Sequence, residues 1–187
     1  MPDRLADTVE GKSGRWTVGG PASASRPPAG CESSPERERD MEVAEVAERP
    51  AMGYRLLPHT ADVVVEAWAP TRGGCLAEAV RGLVAVFADT SGLDAVRSVE
   101  LRLEPAGDEE LLVRLLEEVV YLVEVDALVP VDVEVDLEPG GGLRARFDVT
   151  PLTPAMIVGP VPKAIAWYEL EFARKGSGWT CRATVDV

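Results

Sequence analysis

The chemistry of this chain gathers at Pro58-His59-Thr60-Ala61-Asp62. The stretch holds the only histidine of 187 residues and a carboxylate three positions later. Tyr54-Arg55-Leu56-Leu57 precedes it and Val63-Val64-Val65-Glu66-Ala67 follows. These apolar, β-branched runs predict extended structure on both sides. A polar turn held between two strands can present an acid, a base or a metal ligand. A second acidic element stands at the far end, Val185-Asp186-Val187, where a strand-like run meets the α-carboxylate. The expectation is that Asp62, Asp186 and the terminal carboxylate of Val187 converge.

Each of these residues alone has a plainer reading. An Asp after Thr-Ala is often a turn former, and Asp186 reads equally as a surface acid. A lone histidine in a turn is more often a hydrogen-bonded structural residue. His59 has neither a second histidine nor a paired nucleophile, so it does not read as a general base. No nucleophile elbow, phosphate-binding glycine loop or second metal cluster is visible. That weighs against a metal-dependent hydrolase using His59, Asp62 and Asp186, which stays as an alternative.

The elements that must position these residues follow in order. Residues 1–51 are rich in Gly, Pro, Ser, Arg and Glu and cannot bury enough apolar surface to offset their ordering entropy. They are expected to form a disordered tail, with at most a helical turn in Asp40 to Glu48. Met41 and Met52 are alternative starts. The folded domain is expected over residues 52–187. Strand, turn and strand run from Tyr54 to Ala67, and Thr71-Arg72-Gly73-Gly74 predicts a break. Leu76, Ala79, Val80, Leu83, Val86 and Phe87 recur at helical spacing and predict a helix to about Ala88. Gly82 weakens it slightly. Val96 to Glu104 alternates as a half-buried strand. Asp108-Glu109-Glu110 places acids at a helix start. The stripe Leu111, Leu112, Leu115, Leu116, Val119, Val120, Leu122 and Val123 predicts the central helix of the core.

Val131 to Leu137 and Leu143 to Val149 then predict a hairpin turning at Pro139-Gly140-Gly141-Gly142, with acids on one strand facing arginines on the next. A proline-rich loop fills Pro151 to Pro162. Strands follow at Lys163 to Phe172 and Trp179 to Val187. Trp167 and Trp179 read as core or half-exposed strand aromatics. The order β-β-α-β-α-β-β-β-β predicts an α+β domain in which mainly antiparallel strands cover two helices.

Charge and cysteines bound the function classes. The net charge is -13 and the pI about 4.5. The segment to Ala51 carries ten acids and seven bases, the remainder 22 and 12, so the negative charge belongs to the folded part. Lys and Arg are scattered without a basic face, which disfavours direct nucleic-acid binding. Cys31, Cys75 and Cys181 are odd in number and lack metal-site spacing, consistent with a reducing cytoplasm. No signal peptide or membrane span is expected.

Four motifs in order carry a family likeness: His59-Thr60-Ala61-Asp62, the helix Asp108-Glu109-Glu110-Leu111-Leu112-Val113-Arg114-Leu115-Leu116-Glu117-Glu118-Val119-Val120-Tyr121-Leu122, then Lys163-Ala164-Ile165, then the terminal Val185-Asp186-Val187. Together they resemble archease, from Tyr54 to Val187. The resemblance implies a layered β/α/β fold. It also implies a non-catalytic protein cofactor of the GTP-dependent tRNA-splicing ligase, which assists guanylylation and multiple turnover of that enzyme. It implies a bound metal, calcium first, held by Asp62, Asp186 and Val187. The all-oxygen ligand set suits Ca²⁺, Mg²⁺ or Mn²⁺ over zinc, and a cation would relieve the repulsion among three gathered carboxylates. His59, Glu118 and Lys163 are candidates for supporting the site or meeting the partner. A solvated acid and a strand-edge lysine are the plainer readings of the last two. The chain departs from the family at Glu117, where asparagine is usual, and at Ala166, Trp167 and Tyr168, where threonine, tyrosine and histidine are usual. A general chaperone or scaffold is the third function that the sequence leaves open.

Overall fold

The computed structural model describes residues 51–58 and 62–187. The expected tail up to residue 50, with Met41, and the turn residue His59 lie outside them. The chain forms β1 (Gly53–Pro58), β2 (Asp62–Ala69), α1 (Arg72–Phe87), β3 (Arg97–Leu103), α2 (Asp108–Glu124), β4 (Leu128–Leu137), β5 (Leu143–Pro151), a 3₁₀ turn at Pro154–Met156, β6 (Ala164–Lys175) and β7 (Gly178–Asp186). β1-β2-β7-β6 make a four-stranded sheet and β3-β5-β4 a three-stranded one. The strand pairings are antiparallel. This is the expected α+β architecture.

The helices lie between the sheets. α1 packs on β1, β2 and β7 on one side and on β4 on the other, and α2 packs on β6 and on β4. A helix covered on two sides must be apolar on two sides. α1 meets this with Leu76, Val80, Leu83, Val84 and Phe87 all buried. α2 buries Leu111, Leu112, Leu115, Leu116 and Val119 completely, which makes its stripe core as the periodicity predicts. Each sheet then needs apolar residues on its inner face only. In β2 these are Val63, Val65, Ala67 and Ala69, at a spacing of two.

The β4–β5 hairpin takes the predicted register, with Glu134 opposite Arg146 and Asp136 opposite Arg144. Three boundaries differ from the sequence reading. β4 starts earlier, at Leu128, because a bulge between Pro130 and Asp132 absorbs the change of alternation. β6 runs on to Lys175, through a larger bulge described below. α1 starts at Arg72, inside the stretch that predicts a break. Thr71 caps it, its Oγ1 accepting from the Gly74 N–H at 3.1 Å. The glycines there serve packing. A Cβ on Gly73 would clash with the Val135 carbonyl oxygen of β4. Gly82 is likewise a contact glycine, since its Cβ would lie 2.6 Å from Val65 Cγ1.

Gly73→Ala is therefore expected to destabilise the domain despite alanine's better helix propensity. The propensity gain is at most about 1 kcal/mol, while overpacking against backbone costs about 1–3 kcal/mol. Urea unfolding checks this, and an unchanged or raised midpoint would show that α1 can move off β4 without loss.

Candidate metal centre

The β2–β7 register sets the site. Asp62, the first residue of β2, pairs with Asp186, the last residue of β7. Directly opposed residues on antiparallel strands have Cβ atoms roughly 4.5–5.5 Å apart and point to the same face. Val63 and Val185 next to them point into the core. Both carboxylates therefore stand on the outer face of the four-stranded sheet, away from the helices. Val187 follows Asp186 directly and packs its side chain partly against the core. On the other flank of β7, Ala164 is opposite Asp186, and the Lys163 N–H donates to the Asp186 carbonyl at 2.9 Å.

The structure thus pairs Asp62 with Asp186 and sets the Lys163 backbone beside them. It does not bring Glu118 to them. Glu118 is half-buried on α2, in the layer covered by the inner face of the sheet. Among the described residues no group of three or more His, Cys, Asp or Glu side chains is gathered closely enough to hold a metal ion.

Two residues that sequence reasoning did not place at the site stand beside it. The Tyr168 hydroxyl donates to Asp62 Oδ2 at 2.8 Å. Tyr168 belongs to β6, which is separated from β2 by β7, so its ring crosses over β7 to reach Asp62. A bulge makes this reach available. Between Ala166 and Glu171, β6 advances five residues while β7 advances two, from Thr184 to Arg182. Glu169 takes up the bend in the left-handed region, at φ 54°. Trp167 and Tyr168 are consequently exposed, at 60% and 53%. Trp167 is thus an exposed strand aromatic and not core, whereas Trp179 packs edge-on to Phe172 at 5.5 Å. The second residue is Thr184, on the outer face two residues before Asp186. It is 1% exposed, and its Oγ1 has no hydrogen-bond partner among the described residues. No sequence signal marks the bulge; only the unusual triplet Ala166-Trp167-Tyr168 hints that this strand is different.

The electrostatics of the outer face change along the strands. Glu66 is matched by arginines, with Arg55 Nε at 2.6 Å and Arg182 Nη1 at 3.5 Å. Two turns of the pleat away, the register sets acid against acid at Asp62 and Asp186. The hydrogen bond to Asp62 is the largest cause holding the Tyr168 phenol above its usual pKa, followed by burial and by the charges of Asp62, Glu169 and Asp186. The groups gathered here are all oxygen: two opposed carboxylates, with the Tyr168 phenol and the buried Thr184 hydroxyl beside them. Such a set fits a hard divalent cation and does not fit zinc or copper.

Comparison with known proteins places this geometry in context. The model of the archease protein family matches residues 54–187. A probable protein archease of Mycobacterium tuberculosis is 43% identical over 135 residues, spanning 72% of this chain and 75% of that protein. The protein archease of Archaeoglobus fulgidus is 30% identical over 143 residues, spanning 73% of this chain and all of that one (100%). In solved structures the fold is similar to protein 1598 of Methanobacterium thermoautotrophicum, with a TM-score of 0.57, 19% identity, and coverage of 72% and 99%. It is also similar to a Thermotoga maritima archease described as a possible chaperone, with a TM-score of 0.50, 18% identity, and coverage of 71% and 96%.

Proposed function

The chain belongs to the archease family, and from that premise we propose that it is the accessory protein of a GTP-dependent tRNA-splicing RNA ligase. In this role it promotes guanylylation and multiple turnover of the ligase and is not itself the catalyst. The observation that carries the reading is the register pairing of Asp62 with Asp186. It joins the first family motif to the last at one point on the sheet surface. A divalent cation, calcium foremost with Mg²⁺ or Mn²⁺ as alternatives, would be held there by Asp62, Asp186 and the Val187 terminal carboxylate. When bound, the ion neutralises opposed carboxylates and fixes the end of β7 against β2.

The protein's own groups define the face offered to the partner. Asp62 and Asp186 stand on the outer face of the sheet, with Tyr168 bonded to Asp62 and the exposed Trp167 next to Tyr168 in β6. The folded part carries 22 acids against 12 bases, so the contact proposed is with the ligase protein and not with RNA directly. Among the described residues no helix is long and apolar enough to cross a membrane.

A gel assay with purified ligase, GTP and nicked RNA tests the proposal. The expected result is that this protein raises the number of ligations per ligase molecule above one. RNA cleavage without ligase would favour the hydrolase reading. Absence of both effects would leave a chaperone or scaffold.

A further inference from the structure

Tyr168 stands outside the ligand set proposed above, yet it makes a side-chain hydrogen bond to Asp62 that reaches across an intervening strand. The bond is charge-assisted, and such bonds are roughly twice as strong as neutral ones. Its effect on Asp62 is geometric. Asp62 faces a like charge directly across the strand pair, and repulsion favours rotamers that swing its carboxylate away from Asp186. A phenol fixed on Oδ2 holds the carboxylate plane in place before any ion arrives. The backbone supports this arrangement: the bulge places Tyr168 at a site where Glu169 must adopt φ 54°, a conformation disfavoured for a residue with a side chain. A second observation lies on the same face of the sheet. The ring crosses β7 on the face where Thr184 lies, and Thr184 Oγ1 is a buried hydroxyl with no hydrogen-bond partner among the described residues, two residues from Asp186.

We infer that Tyr168 is a positioning and specificity-determining residue of the divalent-cation site. It orients Asp62 and keeps Oδ2 engaged, which disfavours contact of both carboxylate oxygens with the ion. The inference rests on the proposed ion site at Asp62 and Asp186. It has two consequences. Groups that hydrogen-bond a metal-ligating carboxylate commonly set affinity by 10–100-fold. An engaged oxygen also disfavours bidentate binding, a mode that calcium accepts readily and the smaller, strictly octahedral magnesium does not. Tyr168 therefore narrows the preference for calcium over magnesium.

Isothermal calorimetry of the full chain with Ca²⁺ and, separately, Mg²⁺ tests this on wild type, Tyr168→Phe and Asp62→Asn. The expected result is weaker binding of both ions by Tyr168→Phe, by about tenfold or more, with the loss larger for Mg²⁺. A merely structural role of the tyrosine would leave the Ca²⁺/Mg²⁺ ratio unchanged. Tyr168→Phe that binds both ions within twofold of wild type, while Asp62→Asn binds weakly, would overturn the role of Tyr168 and leave the site standing. Equal binding by wild type and Asp62→Asn, or none by wild type, would overturn the site itself and the inference with it.

Discussion

Leu116→Asp is expected to abolish cooperative unfolding altogether. Leu116 is fully buried in the middle of α2, the helix held between β6 and β4. A carboxylate there has no solvent, and the helix presents Leu112, Val113, Val119 and Val120 within a turn, all apolar. Burying an unpaired charge costs far more than the polar-group penalty of several kcal/mol. Total stability of such a domain is only roughly 5–15 kcal/mol. Leu116→Ala separates position from charge. It removes apolar contact and leaves a cavity, for an expected loss of about 2–5 kcal/mol with cooperativity retained. Val119→Asp should behave as Leu116→Asp does, since Val119 is equally buried. Thermal unfolding followed by circular dichroism reads all three. A cooperative transition near the wild-type temperature for either charged variant would mean that the stripe is not the core.

That stripe was legible because the physical rule behind it is local. A helix covered on both sides shows its burial in its own spacing, and α2 is such a helix. The β4–β5 hairpin was legible for a similar reason: alternation fixes which face each residue takes, and the charges of Glu134 and Arg146 fix the register. What failed at Gly73 was a rule about propensity. Glycine reads as a breaker when its neighbours are unknown, and here its neighbour is the backbone of β4, more than sixty residues later. The same limit applies to the candidate site. Asp62 and Asp186 were visible as residues because they end apolar runs. Tyr168 was not visible as their companion, because its position depends on three extra residues in β6 relative to β7. A bulge is a mismatch between two strands, so neither strand alone contains it. His59 stands out in the sequence as its single histidine but lies outside the described residues.

Asp186→Asn is expected to lose about half of the stabilisation that calcium gives, while leaving the ion-free domain at least as stable as wild type. The two halves of this prediction have opposite signs and one cause. Without an ion, Asp62 and Asp186 are like charges opposed on neighbouring strands. Such a pair is destabilising by a few tenths to about 1 kcal/mol, and the amide relieves it. With the ion, the same two charges are ligands. Calcium at about one hundred times its dissociation constant stabilises the wild type by about 2.7 kcal/mol, because it binds the folded state alone. A tenfold loss of affinity corresponds to about 1.4 kcal/mol, so at that calcium concentration Asp186→Asn should retain only about half of the stabilisation. Deleting Asp186 and Val187 together removes both proposed anionic ligands and should abolish it. Extending the chain beyond Val187 changes a carboxylate into a neutral amide and should weaken calcium binding by a similar tenfold, whereas an extension before Met1 should have no effect. Urea unfolding with and without calcium reads these differences on one axis. The decisive comparison is the crossing: Asp186→Asn above wild type in chelator and below it in calcium. Parallel curves, with the variant shifted equally in both conditions, would place Asp186 at the surface as an ordinary acid and take the ion away from this end of the sheet.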